Sequence, residues 1–267
     1  MHQIFGIIAH PVEHSLSPLI HNAGYKALHI PAEYKAFDVP KEKLDIFFEK
    51  VKERKIGLSV TIPHKETVHK YCGEVSVAAQ RIGAVNTIYW REGKMIGHNT
   101  DFMGIRKPLQ KEVDLENKNV VIFGAGGAAR AGVYGCVLAG AKVIILNRTV
   151  EKAKKLAKEF SCEFGSLADY DKEKTDVIIQ TTSVGMMTNE SLLEEKDFRE
   201  GQVVFDIVYR PRKTKFLENA EKAGAKIITG DKMFLVQAYE QFKLFTGKDA
   251  PQELMEKVLD EALRESE

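Results

Sequence analysis

The chain of 267 residues has three cysteines, Cys72, Cys136 and Cys162, and they form no Cys-x-x-Cys pair. An odd, scattered set argues against a disulfide framework and fits the reduced thiols of a cytoplasmic protein. No apolar run approaches the roughly 20 residues of a membrane-spanning helix, so no membrane partner is expected. An excess of charge is missing too: 39 basic residues stand against 38 acidic ones, which removes the general electrostatic reason to expect nucleic acid as a partner. The histidines form no His-Glu-x-x-His motif and no Cys/His cluster. His10 and His14 are spaced i, i+4, but Pro11 disfavours a continuous helix between them, and no metal is expected. The opening "MHQIFGIIAHPVEHS" lacks a basic leader region and an evident cleavage site, and reads as a first strand rather than a signal peptide. Internal repeats and low-complexity segments are absent as well. What remains is an ordinary globular composition, 44% hydrophobic and 29% charged, long enough for one large or two modest domains.

Strand-like and helix-like segments alternate. Ile4–Ala9 is an apolar strand, and Ser17–Ile30 begins with a Ser-Pro helix start and keeps helical periodicity. "AEYKAFDV" reads as a strand, and Lys41–Lys55 as an amphipathic helix with Leu44, Phe47, Phe48 and Val51 on one face. Asn86–Thr100 has the pattern of a hairpin turning at Glu92-Gly93. A helix is expected from about Phe102, interrupted at Pro108. Asp114–Asn119, polar apart from Leu115, is the best candidate linker. Strands are expected near Asp176–Thr182, Val203–Tyr209 and Ala225–Thr229, with closing helices over Asp231–Phe245 and Pro251–Arg264. Such alternation implies largely parallel sheets covered by helices on both faces, an α/β fold.

The clearest motif lies in "VVIFGAGGAARAGVYGCVLAGAKVIILNRT". Strand Val120–Phe123 leads into Gly124, Ala125, Gly126, Gly127, Ala128 and Ala129, then a helix, then strand Val143–Leu146. The first glycine allows a tight turn, the second lets backbone approach a pyrophosphate, and the small Ala129 permits close helix–strand packing. Amides at the helix N-terminus face the phosphates. Proteins that read NAD usually carry Asp or Glu at the end of the second strand. Here Asn147, Arg148, Thr149 and, a little further on, Lys152 stand there instead. A carboxylate would repel a 2′-phosphate, whereas a guanidinium, a hydroxyl and an amine would bind one, so NADP is the expected cofactor.

"SVTIPHK", Ser59 to Lys65, poses a different problem. Pro63 favours a helix start, which would put Lys65 in a first turn, where the helix dipole disfavours a cation. Placing an amine there lowers its proton affinity and suits it to general acid–base work.

Around these two features the chain resembles the shikimate dehydrogenase family. The matching motifs are "HSLSP" (His14–Pro18), "VTIPHK" (Val60–Lys65), "GAVNT" (Gly83–Thr87), "GHNTD" (Gly97–Asp101), "GAGGAAR", "NRT", "TTSVGM" (Thr181–Met186), "DIVY" (Asp206–Tyr209) and "MFLVQA" (Met233–Ala238), in the family's order over nearly the whole chain. The resemblance implies NADP-linked interconversion of 3-dehydroshikimate and shikimate, with a dual quinate/shikimate dehydrogenase and a non-catalytic NADP(H)-sensing protein as the alternatives. It implies Lys65 and Asp101 as the catalytic pair, and Ser15, Ser17, Thr61, Asn86, Tyr209 and Gln237 as further substrate contacts. Thr181, Ile207 and Gly230 would line the nicotinamide side. The implied architecture is two α/β domains flanking a cleft: residues 1–100 plus 237–267 binding substrate, and 101–236 as a Rossmann-type NADP domain. The assembly would be a monomer or homodimer. The sequence departs from the family where Ser59 replaces the usual Asn and where Thr229–Phe234 differs from the usual Asp-Gly-x-x-Met. A hydroxyl at position 59 can replace some but not all of an amide's contacts.

Overall fold

The computed structural model describes residues 2–13 and 15–265; His14, the first residue of one quoted motif, lies outside the described residues. The chain forms two compact units, Met1–Thr100 with Gln237–Glu267, and Asp101–Val236.

The first unit opens with β1 (Gln3–Ala9), α1 (Ser17–Ala27), β2 (Ala32–Asp38), α2 (Leu44–Arg54) and β3 (Gly57–Val60). Short β4 (Glu74–Val75) and α3 (Val77–Ile82) precede the hairpin of β5 (Thr87–Arg91) and β6 (Lys94–His98). Glu92 and Gly93, at φ 52° and 76°, supply the two positive φ values of a tight two-residue hairpin turn. The sheet order is β2-β1-β3-β5-β6-β4. It is mixed rather than largely parallel: β1 runs parallel to β2 and β3, but the hairpin makes β5 antiparallel to both β3 and β6. Leu44, Phe48 and Val51 of α2 bury against Ile8, Leu58 and Ile88, while Phe47 is only partly covered.

The second unit begins with α4 (Asp101–Glu112), followed by β7 (Asn119–Phe123), α5 (Gly127–Leu138), β8 (Lys142–Leu146), α6 (Val150–Phe160), β9 (Glu163–Gly165), β10 (Val177–Gln180), β11 (Val203–Asp206), α7 (Lys215–Lys222) and β12 (Lys226–Ile228). Its sheet, β12-β11-β10-β7-β8-β9, is parallel throughout. Alternation along the strands feeds two separate cores. Val120, Ile122, Val143, Ile145, Val177 and Ile179 pack on one face with α4 and α5 residues such as Ile105 and Val133. Val121, Phe123, Leu146, Ile178 and Val204 pack on the other with Phe216 and Leu217 of α7. Successive side chains of a strand point to opposite faces, so strands apolar on both sides need cover on both.

Two further expectations fail here. Helix α4 runs through Pro108 instead of stopping. Proline removes one backbone hydrogen bond, but Ile105, Pro108 and Leu109 are all buried, and that packing outweighs the loss. Asp114–Asn119 is not a linker between units but the connection from α4 into the first residue of β7, inside the second one. Leu115 is buried in the same core as Ile105 and Leu109, and Asn117 N–H donates to Gly140 O at 2.9 Å. Finally α8 (Gly230–Thr246) reaches from the second unit into the residues of the first, and α9 (Gln252–Arg264) packs on α1.

Candidate active site

In the second unit the strand register aligns the carboxyl ends. Phe123 pairs with Leu146 and with Gln180, and Gln180 with Asp206. Gly124, Asn147, Thr181 and Ile207 are therefore the next residues along one edge. Backbone bonds hold them there: Gly124 N to Leu146 O at 2.9 Å, Thr181 N to Phe123 O at 2.9 Å and Ile207 N to Gln180 O at 3.1 Å. Counting β7 as the first strand, the order is 3-2-1-4-5-6, and the reversal between β7 and β10 is the switch point at which such sheets take ligands.

The glycines at this edge have different causes. Gly124 sits at φ +112°, and a Cβ there would lie 2.5 Å from Thr181 Oγ1, so the protein's own packing demands glycine. Gly126 has φ −95°, available to any residue, and nothing lies within 4 Å of the position a Cβ would take. The protein itself gives no reason for glycine there; a ligand's phosphate against the backbone would. Gly126 is the N-cap of α5, with no side-chain cap and no acidic residue in the first turn to compete for the amides of Gly127 and Ala128. At the end of β8, Asn147 Nδ2 donates to Thr149 O at 2.9 Å and closes the turn. Arg148, Thr149 and Lys152 are exposed, and no carboxylate stands among residues 147–149. The residues present thus fit a dinucleotide with a 2′-phosphate. Gly230 is accounted for by packing alone: a Cβ would lie 2.4 Å from both Ile207 O and Val208 O. Tyr209 rests its ring on Phe234, centroids 5.1 Å apart, and burial pushes its hydroxyl pKa up. Asp101 is the first residue of α4 and is buried.

The first unit places Ser15, Ser17, Thr61, Lys65, Asn86 and Gln237. Lys65 is not in a first helical turn. Residues 62–67 form a run of turns ahead of a short 3-10 helix over Val68–Tyr71, so the helix-dipole argument for its chemistry does not apply. Its backbone is tied down instead: Lys65 O accepts from Val85 N at 2.8 Å. Next to Val85, Asn86 is 1% exposed. Its Oδ1 accepts from Thr100 N at 2.7 Å and Thr87 Oγ1 at 2.7 Å, and its Nδ2 donates to Thr100 Oγ1 at 2.9 Å. Asn86 therefore clamps the segment carrying Lys65 to the residue directly before Asp101. Ser17 is the first residue of α1 and is buried, with Leu16 as N-cap, so its hydroxyl is not the helix cap expected of a Ser-Pro start. Its backbone N–H donates to Ser15 Oγ at 3.3 Å.

Sequence reasoning missed four partners: Tyr34, Thr87, Thr100 and Gln241. Two of them hold Ser59. Ser59 Oγ accepts from Tyr34 Oη at 2.5 Å and donates to Gln241 Oε1 at 2.7 Å. Gln241 is 2% exposed, whereas Gln237, one turn earlier on α8, is half-buried. The i, i+4 spacing of these two glutamines was the signal that could have exposed the second.

A parallel sheet with this strand order and glycine turn, joined to a second α/β unit holding a buried polar cluster, defines a two-unit protein of the dinucleotide-dependent class. Family comparison narrows the class. Residues 7–88 match the description "Shikimate dehydrogenase substrate binding domain", 107–227 match "Shikimate / quinate 5-dehydrogenase", and 232–259 match "Shikimate 5'-dehydrogenase C-terminal domain". The chain belongs to the shikimate dehydrogenase family. A Pyrococcus abyssi protein named shikimate dehydrogenase (NADP(+)) is 44% identical over 264 residues, covering 98% of each chain. A crystal structure of a shikimate dehydrogenase in complex with NADP+ superposes with TM-score 0.94 at 41% identity, covering 98% of this chain and 96% of that one. The Thermus thermophilus enzyme in complex with NADP(H) and shikimate gives TM-score 0.91 at 36% identity, covering 98% of this chain and all of that one.

Proposed function

We propose that this protein catalyses the NADP-dependent, reversible reduction of 3-dehydroshikimate to shikimate, a step in aromatic amino-acid biosynthesis. The observation that carries the reading is a conjunction within one chain. A parallel sheet ends in a carboxylate-free Asn147-Arg148-Thr149 turn, and the other unit clamps the Lys65 segment beside Thr100 through Asn86.

When bound, NADP(H) supplies the hydride acceptor or donor at nicotinamide C4. The chain's own residues do the rest. The backbone from Gly124 through Ala125, Gly126, Gly127 and Ala128 holds the pyrophosphate, and Arg148, Thr149 and Lys152 take the 2′-phosphate, with Asn147 shaping their turn. Thr181, Ile207 and Gly230 form the nicotinamide side. Ser15 and Ser17 receive the substrate carboxylate, and Thr61 and Asn86 its ring hydroxyls, with Tyr209 and Gln237 completing the contacts. Lys65, aided by Asp101, gives a proton to the carbonyl oxygen during reduction and removes it during oxidation. A cytoplasmic setting belongs to the same reading. All three cysteines are unpaired, and no helix among the described residues is long and apolar enough to cross a membrane.

Steady-state absorbance of the reduced nicotinamide, with shikimate and quinate each paired with NADP+ and NAD+, tests this. The expected result is the highest kcat/KM for shikimate with NADP+. Folded protein giving no signal with any pair would remove the catalytic reading, and parity between shikimate and quinate would replace it with a dual-substrate one.

A further inference from the structure

We propose that Gln241 is a positioning residue of the substrate site: its buried carboxamide sets the direction of a hydrogen-bond relay that holds the Asn86 carboxamide in one orientation. The inference rests on the shikimate-binding reading of this unit.

The direction follows from one atom that can only accept. The carbonyl oxygen of Asn86 lies 3.3 Å from Gln241, so the group facing it must be Nε2. The same Nε2 lies 3.1 Å from Thr87 Oγ1, which accepts from it. Thr87 must then turn its single proton onward, and Asn86 Oδ1, 2.7 Å away, receives it. Fixing Nε2 on this side leaves Oε1 toward Ser59, so Ser59 Oγ must donate across 2.7 Å. Ser59 can in turn only accept from Tyr34, whose hydroxyl donates across 2.5 Å. Every hydroxyl in the series has its proton assigned once the amide of Gln241 is placed.

An independent bond checks the outcome. Thr100 N–H can only donate, and it lies 2.7 Å from the same Asn86 oxygen. Both routes fix Oδ1, and Nδ2 at the other end of the amide donates to Thr100 Oγ1 at 2.9 Å, so any ligand atom that meets this nitrogen must accept. Tyr34, Ser59, Asn86, Thr87 and Gln241 are all buried, where water does not compete for these bonds and an inverted amide would leave like groups facing each other. Without Gln241, Thr87 is free to turn its proton elsewhere, and one of the two restraints on Asn86 is lost.

The test is a kinetic cycle on the full chain. Gln241→Met keeps size and removes both polar ends. It is expected to raise the KM for shikimate about tenfold, the effect of roughly one buried hydrogen bond. The KM for NADP+ and kcat should stay within about twofold. In an Asn86→Ala background the same change should move the shikimate KM by less than about twofold, because coupled residues are not additive. Thr87→Val cuts the relay between Gln241 and Asn86 while keeping shape, and should also raise the shikimate KM; it decides the matter if Gln241→Met does not fold. An unchanged shikimate KM in the folded variants, equal losses for both substrates, or a tenfold loss that persists on Asn86→Ala would overturn the relay. Absence of shikimate-dependent NADPH formation in the unmodified protein would instead overturn the functional reading, and the relay's ligand with it.

Discussion

Lys65 shows what one residue's surroundings decide. Its sequence context suggests an amine set against a helix dipole, yet the chain gives it a turn and a backbone anchor on Val85. Any chemistry it performs must then come from position and neighbours rather than from a dipole. Lys65→Ala is expected to lower kcat by about 10²- to 10⁴-fold, the usual scale of general acid–base catalysis, with the shikimate KM changing only a few-fold. A near-normal kcat would take the lysine out of the chemistry. Arg148 is the complementary case. It is exposed at the end of β8, where a charged hydrogen bond to a bound phosphate would contribute about 1.5–3 kcal/mol. Arg148→Ala should weaken NADPH binding by roughly 10- to 100-fold and leave NADH almost unchanged. Equal losses for the two cofactors, measured by titration, would refute the 2′-phosphate role.

At the scale of elements, the sequence was most legible where one local rule acts. The Glu92-Gly93 turn, the glycine loop and the β7–α5–β8 unit could all be read from residue pattern. It was least legible where distant contacts decide. Nothing local to Pro108 announces that buried neighbours carry α4 through it, and nothing in the polar run around Leu115 shows that its leucine enters a core. The polar cluster around Asn86 joins residues 34, 59, 87, 100 and 241, and no periodicity encodes such a set. The glycine loop yields a prediction that separates packing from binding. Gly124→Ala forces a side chain to φ +112° and into Thr181, strain on the order of 1–3 kcal/mol before the clash, so its Tm should fall by several degrees. Gly126→Ala meets neither obstacle and should leave Tm unchanged or slightly raised, while the KM for NADP+ rises. An unaltered NADP+ KM in Gly126→Ala would mean that no phosphate lies against that backbone.

Across the whole molecule, the two units respond to acid with opposite sign. His21 of α1 is fully buried, its ring 4.4 Å from that of Tyr34 in parallel stacking and also against Tyr25, Phe242 and Phe245. Neither ring nitrogen has a hydrogen-bond partner, and burial lowers its pKa from 6.5 to about 3. The folded first unit therefore refuses a proton that the unfolded chain accepts. Its stability is intact above pH 6.5 and falls as pH drops from there toward 3, by on the order of 2 kcal/mol between pH 7 and 5. Asp206, at the end of β11, is fully buried, and burial raises its pKa from 3.8 to about 7 despite hydrogen bonds from Val208 N and Thr214 Oγ1. Here the folded second unit holds a proton that the unfolded chain has lost. Its contribution is intact below pH 3.8 and is lost as pH rises toward 7, so acidification from 7 to 5 strengthens this unit by up to about 2 kcal/mol. Hydrogen exchange corrected for intrinsic rates should accordingly show β1, β2 and α1 losing protection at pH 5 while β10 and β11 gain it. His21→Phe should abolish the loss in the first unit and leave the second unit's gain in place. Parallel changes in both units, or a loss that survives His21→Phe, would show that other groups govern the acid response.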